Sequence, residues 1–441
     1  MFVLGEVMGQ GRPAADRSKG SLSTNAAWAV AGNISYGAGR LLIFVILAKA
    51  FDQEQVGQFV LSLVIVTPLS FLLNMELRLV LVTDTKGLVD AGHCLAVRLV
   101  SNAVLALVLL GFCEVMRNGW GWDGDKIALM LLVGGVRMVE SMADLYLGVL
   151  QKHERMKNVA ISQTLKTLAV LLCAVVAAQW SEDIWPVVAG WLLAVLLVGW
   201  YYDRRCAGRY QPVGIHWSSG VSKDLVKLAF PLGIFVTITS FNDGVGRYFV
   251  GYFMGDAVVA YLAAMLFVVT GAAAVQNGVN QSVLPRLAVY YASNIDAFWK
   301  LLRRVLALSW LAMAGLLAVV WWQGKLIVRI ISRTEYVDYL YAPEQVKDVP
   351  LFVLVIFAGC VLLTGMIVGS ALMACHRFKS NLAAVALGLA VNVIICWLYV
   401  GDYGVRAAAW AGIFSAGITT LVCTIVLVLV IPKPARQIDG K

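Results

Sequence analysis

Twelve apolar runs, each about the length of a bilayer crossing, follow one another along 441 residues: 26–48, 57–79, 94–113, 127–150, 159–178, 184–202, 229–254, 257–285, 301–322, 349–374, 381–400 and 405–431. Roughly 20 mainly apolar residues suffice to span the hydrocarbon core as a helix. Lipid offers no hydrogen bonds to the backbone, so a spanning segment must satisfy its own amides, which confines it to helices or a closed barrel. The runs are continuous and not alternating, which excludes barrel strands. Composition agrees: 60% of the chain is hydrophobic, 14% is charged and mean hydropathy is +0.80, whereas about 25% charged is usual in soluble domains. The expected fold is an all-α polytopic membrane protein, with twelve transmembrane helices in two pseudo-symmetric six-helix lobes.

Cations orient such a chain, because cytoplasmic loops carry an excess of Lys and Arg. With both ends cytoplasmic, most of the 35 Lys and Arg residues fall on that side. They include Arg12, Arg17, Lys19, Arg78, Lys86, Arg98, Arg155, Arg204, Arg205, Arg303, Arg304, Arg377, Lys433, Arg436 and Lys441. Few fall on the other side, among them Lys49, Arg117, Lys126, Lys325, Lys347 and Arg406. The net charge of +9 is therefore an orientation signal that meets anionic lipid, not a nucleic-acid groove. Trp120, Trp122, Trp180, Trp185, Trp321 and Trp322 fall near outer helix ends, and Trp28, Trp200, Trp217 and Trp299 near inner ones, as an aromatic belt requires. Residues 1–24 have no adequate apolar core before Ala26, so no cleavable signal is expected and the first span stays as an anchor.

An internal repeat divides the chain. Gly37-Ala38-Gly39-Arg40 lies in the first run and Gly244-Val245-Gly246-Arg247 in the seventh, close to half the chain apart. Span four ends on Arg155-Met156-Lys157 and span ten on Arg377-Phe378-Lys379. The expected organisation is a cytoplasmic segment 1–25, a lobe 26–202, a linker 203–228, a lobe 229–431 and a cytoplasmic tail 432–441. Pro68, Pro231 and Pro285 lie in or at the ends of spans, where each frees backbone groups and permits a kink.

Taken in order, these patterns resemble the polysaccharide flippases of the multidrug/oligosaccharidyl-lipid/polysaccharide exporter superfamily. The resembling stretches are Gly39 to Leu42, Phe51 to Phe59, Met75 to Val80, Leu147 to Gln151, Arg247, Val259 to Ala263 and Leu284-Pro285-Arg286-Leu287. The resemblance implies two six-helix lobes around a cavity that opens alternately to each side. It implies a substrate as well, an undecaprenyl-diphosphate-linked oligosaccharide carried from the cytoplasmic to the periplasmic leaflet of a bacterial inner membrane. It admits a polysaccharide polymerase and a chain-length regulator as partners beside the membrane lipids, with no cofactor, no metal and no catalysis. The alternative on the same scaffold is a cation-coupled small-molecule or multidrug exporter.

A flippase must carry sugar and diphosphate through an apolar slab. Arginine suits the phosphates, since its planar fork makes paired bonds and holds its charge when desolvated. The loops leave four cations at membrane depth, Arg40, Arg137, Lys166 and Arg247, and the acids there are Glu140, Asp144 and Asp243. The cations are candidate substrate contacts and the acids candidate gating or ion-coupling groups. Competing readings stand beside these. Arg40 has no acid within one helical turn, so it contacts ligand or pairs with Asp243 or Glu140 on another helix. Arg247 has Asp243 four residues before it, a spacing that permits an intrahelical pair. Arg137, Glu140 and Asp144 share one helical face, as a salt-bridge ladder, a gate or a proton-linked site. Lys166 lies near enough to a span end to snorkel to the headgroups.

The remaining signals are structural. The eight cysteines form no CxxC pair or metal-ligand spacing and read as small apolar packing residues. The Gly-x-Gly turns follow no strand, so they are not nucleotide fingerprints. His93, His153, His216 and His376 all fall on the cytoplasmic side, which counts against glycosyl transfer at the outer face.

Overall fold

In the computed structural model, residues 22–84, 89–341, 349–375 and 377–431 are described. The tail 432–441, most of the segment 1–25, Lys86, Lys347 and His376 lie outside them. The described residues form helices and no strand. The first seven are α1 (Leu22–Ala50), α2 (Gln53–Asn74), α3 (Leu77–Thr83), α4 (Ala91–Trp120), α5 (Gly124–Lys152), α6 (Met156–Trp180) and α7 (Trp185–Val198). A π-helical turn, Gly199–Asp203, leads into α8 (Arg204–Ala207), followed by α9 (Ser219–Met254), α10 (Asp256–Ser293), α11 (Ile295–Ile331) and α12 (Thr334–Leu340). The last three are α13 (Leu351–Ala374), α14 (Phe378–Tyr403) and α15 (Val405–Val430).

Among the described residues, eleven helices are long and apolar enough to cross a membrane. The twelfth expected span is α5, equally long but carrying Arg137, Glu140 and Asp144 along one stripe. The chain is a multi-pass membrane protein. Its surface supports this, with Trp180 and Trp322 more than four-fifths exposed and many leucines exposed beside them. The cysteines are free, and all but the half-buried Cys173 are buried.

Two compact units divide these helices. One takes in the chain up to Phe51 together with Ser62–Thr237, and the other Asp52–Leu61 with Ile238 onward. Of the three boundaries, one falls between α1 and α2 and the other two fall inside α2 and α9. In the first unit, α1 lies against α6 at Gly39, where an added Cβ would sit 1.8 Å from Thr167 Cγ2. Small residues allow such close helix approach, which accounts for a glycine directly before Arg40. The unit's core gathers Leu77 and Leu81 of α3, Leu95 of α4, and Leu145, Val149 and Leu150 of α5. In the second unit, Phe298 and Leu302 of α11 pack with Ala371 and Leu372 of α13 and Leu427 of α15.

Two expected boundaries are corrected. Span two does not continue to residue 79. It stops at Asn74, because Met75 and Glu76 both take left-handed backbone angles, φ 53° and 51°, and the chain restarts as α3. Neither residue is Gly or Asn, the usual occupants of that region, so the sequence carries no mark of the break. The stretch 203–228 is largely helical at its ends, with α8 following the π turn and α9 beginning at Ser219.

Gly57 marks a tight approach in the second unit. A Cβ there would lie 1.7 Å from the backbone carbonyl oxygen of Asp256, which cannot rotate away as a side chain could. Gly57→Ala is expected to cost about 1–3 kcal/mol by forcing the backbone apart. Gly111→Ala on α4, where nothing lies within 4 Å, is expected to gain up to about 1 kcal/mol of helix propensity. Thermal unfolding of the two variants in the same detergent checks the contrast. Equal melting temperatures would contradict it.

Candidate functional site

A cavity of about 540 Å³ lies within the first unit. Its walls come from Tyr36 and Arg40 on α1, Thr67, Ser70 and Asn74 on α2, Glu76 at the left-handed turn and Arg78 on α3. Arg98 comes from α4, Glu140, Ser141, Asp144 and Gln151 line it beside Arg137 on α5, and Gln163 and Lys166 complete it from α6. Five cations therefore face three carboxylates.

Three of the cations are already engaged. Arg137 Nη1 meets Glu140 Oε2 at 2.8 Å, and its Nη2 donates to Thr67 Oγ1 at 3.1 Å. The other Glu140 oxygen accepts from Trp191 Nε1 at 3.1 Å. Arg78 Nη1 meets Asp144 Oδ1 at 2.6 Å, while its Nε and Nη2 donate to Gln151 Oε1 at 3.1 and 2.8 Å. Lys166 Nζ meets Asp203 Oδ2 at 2.5 Å, and the Asp203 side chain is fully buried. Thus the face of Arg137, Glu140 and Asp144 on α5 is not a ladder closed on itself. It is braced from α2, α3 and α7.

Arg40 and Arg98 differ from these. Among the described residues neither side chain has an ion pair or a hydrogen bond. Arg40 lies with its Cζ 5.4 Å from the centroid of the Tyr36 ring, a cation–π distance, and its side chain is exposed. Arg98 is only 2% exposed, and its Nε is buried without a partner. The carboxylates acting on Arg98 are Asp144 and Glu76. A buried charge without a salt-bridge partner is costly, and that cost falls on Arg98, since Arg40 is exposed. Asn74, Gln163 and Ser141 add neutral polar groups to the wall.

Of the residues singled out from sequence, Arg40, Arg137, Lys166, Glu140 and Asp144 line this one cavity. Arg247 and Asp243 belong to the second unit, on α9. There Arg247 Nη2 donates to the backbone carbonyl of Asp243 at 2.9 Å, and no ion pair between the two side chains occurs among the described residues. Lys166 does not rely on snorkelling, since the π turn before α8 carries Asp203 inward to meet it. Such turns recur at functional positions.

Three site residues escaped the sequence reading. Arg78 and Arg98 were expected among the cytoplasmic loop cations, and Glu76 entered only within the resembling stretch Met75 to Val80, without a role in the site. The correction has a simple cause. α4 begins at Ala91, about two turns before Arg98, and the break at Met75–Glu76 turns Arg78 over α5. The available signal was that Arg98 falls inside the apolar run 94–113. His93 and His216 flank Asp90 at 3.6 and 3.4 Å, and His153 lies against Tyr210. No group of three or more His, Cys, Asp and Glu able to hold a metal ion occurs among the described residues.

The residue pattern of the family described as "Polysaccharide biosynthesis protein" matches residues 22–290. The chain is 20% identical over 380 residues to the capsular polysaccharide biosynthesis protein CapF of Staphylococcus aureus, covering 86% of this chain and 92% of that protein. Among solved structures, it is similar to the lipid II flippase MurJ in an inward closed conformation, with a TM-score of 0.70 and 13% identity over 91% of this chain and 87% of the other. It is also similar to an inward-facing multidrug resistance MATE family transporter, with a TM-score of 0.65 and 12% identity over 94% of each chain. The same score relates it to a MOP superfamily transporter from Pyrococcus furiosus, at 11% identity over 92% of this chain and 95% of that one. At these identities the likeness is one of fold, and the fold is that of MOP superfamily transporters.

Proposed function

This chain belongs to the polysaccharide biosynthesis protein family, and on that footing we propose that it carries a polyprenyl-diphosphate-linked oligosaccharide repeat unit from the cytoplasmic to the periplasmic leaflet. The observation that carries this reading is the cavity of about 540 Å³ among the helices of the first unit, in which cations outnumber carboxylates and the Arg40 side chain makes no ion pair among the described residues. That volume falls within the roughly 300–1,000 Å³ usual for ligand pockets. Phosphates would sit on the guanidinium groups, the sugar would use the neutral polar wall and the polyprenyl chain would stay in lipid. Transport proceeds by alternating access in the inner membrane, with both ends of the chain cytoplasmic. The protein makes and breaks no covalent bond of its own.

A deletion strain tests this. With radiolabelled lipid-linked glycan, single repeat units are expected to accumulate on the cytoplasmic face and to clear when the gene is restored. Normal glycan export in a deletion strain that has no second flippase would overturn the reading. A change in drug resistance with export intact would favour the multidrug exporter instead. The excess of positive charge in the cavity argues against that alternative for cationic drugs, because like charges repel in a low-dielectric site.

A further inference from the structure

The left-handed turn between α2 and α3 joins a strained backbone to the cavity wall. Two adjacent residues with side chains, Met75 and Glu76, hold positive φ, a strained arrangement of the kind that persists where the surrounding structure enforces it and clusters at functional sites. The enforcement is visible in the same unit. α9 presses on the turn at Gly233, where an added Cβ would lie 2.9 Å from Met75 Cα and 3.3 Å from the Leu72 carbonyl oxygen. The turn brings Glu76 into the cavity wall.

There Glu76 lies in the field of Asp144, Arg98 and Arg78. Asp144 and Arg78 are bonded to each other. The side chains of Glu76 and Arg98 have no ion pair or hydrogen bond among the described residues, although Arg98 is more than nine-tenths buried, with an orphaned Nε. Asp144, already bonded to Arg78, acts on Arg98 first and Glu76 second, so Glu76 is the carboxylate near Arg98 whose own side chain is not tied to another cation. Such an arrangement balances a buried arginine while leaving its donors open.

We propose that Arg98 is a second diphosphate-binding cation and that Glu76, held on the strained turn, is its resident counter-ion, which competes with the substrate's phosphates and so limits how tightly they are held. This rests on the diphosphate reading above. A transporter must release what it binds, and a fixed carboxylate beside the phosphate site speeds release by repulsion. Removing that carboxylate strengthens binding and slows turnover.

The test is the binding of farnesyl diphosphate, a soluble prenyl diphosphate, to the full chain in nanodiscs, followed by calorimetry at low salt. Glu76→Gln is expected to bind about tenfold tighter than the parent. Arg98→Met should bind at least tenfold more weakly, with Arg98→Lys between it and the parent. In the Arg98→Met background, Glu76→Gln should bring little further gain, because coupled neighbours are not additive. Glu76→Asp keeps the charge and should match the parent, which guards against a misfolded Gln variant. An equal gain from Glu76→Gln with and without Arg98 would overturn the counter-ion role. So would an unchanged affinity in Glu76→Gln when Arg40→Ala abolishes binding, a result that leaves the diphosphate reading standing. Absence of binding by the parent chain would remove both.

Discussion

Arg40→Ala is expected to stop glycan export in cells that depend on this chain, while the protein remains folded in the membrane. Arg40 lines the cavity from α1, over the Tyr36 ring and in the field of Glu140. Truncation there breaks no ion pair among the described residues and strands no carboxylate, so the melting temperature should stay close to that of the parent. What is lost is a charge-assisted bond to a phosphate, worth about 1.5–3 kcal/mol, a tenfold or larger change in affinity. Arg40→Lys keeps the charge but not the fork, and should retain part of the export. The measurement is the amount of glycan at the cell surface beside the amount of folded variant in the membrane. Full export by Arg40→Ala would remove this residue from the substrate site.

Asp203→Ala is expected to have the largest effect on stability. Asp203 is fully buried and Lys166 nearly so, at 2.5 Å from each other. Forming a buried pair gains little over an apolar pair of similar volume, because both ions must be desolvated. Removing one partner is different: it leaves a charge in a low-dielectric interior and costs about 3–5 kcal/mol. Lys166→Met added to Asp203→Ala should recover much of that loss, since it removes the stranded ammonium. Thermal unfolding of the single and double variants in detergent gives the comparison. A double variant no more stable than Asp203→Ala would show that the pair's charge is not what matters. The partner of this pair was hidden in the sequence, where Asp203 falls at the edge of the hydrophilic stretch 203–228. The π turn that ends on Asp203 widens the helix there and leaves this carboxylate buried against Lys166.

The same contrast runs through the molecule. Apolar runs of bilayer length dictate helices, because backbone amides in lipid have no other partners, and no tertiary contact is needed to reach that conclusion. The rarity of charge at membrane depth likewise marked Arg40, Arg137, Glu140, Asp144 and Lys166, which all line one cavity, since each must face something other than lipid. Spacing along one helix also put Glu140 beside Arg137. It could not tell which charge is satisfied by another helix, because that depends on axial offsets and rotations set by packing. Hence Asp144 goes to Arg78 and Lys166 to Asp203, while Arg40 and Arg98 keep open donors. Nor could it find the break at Met75–Glu76, whose cause is the approach of Gly233 from far along the chain. Local chemistry, then, decided that the chain is a bundle of spanning helices with charges inside. Tertiary packing alone decided which of those charges remain available to an anion, because pairing is a property of distance between helices and not of position along one.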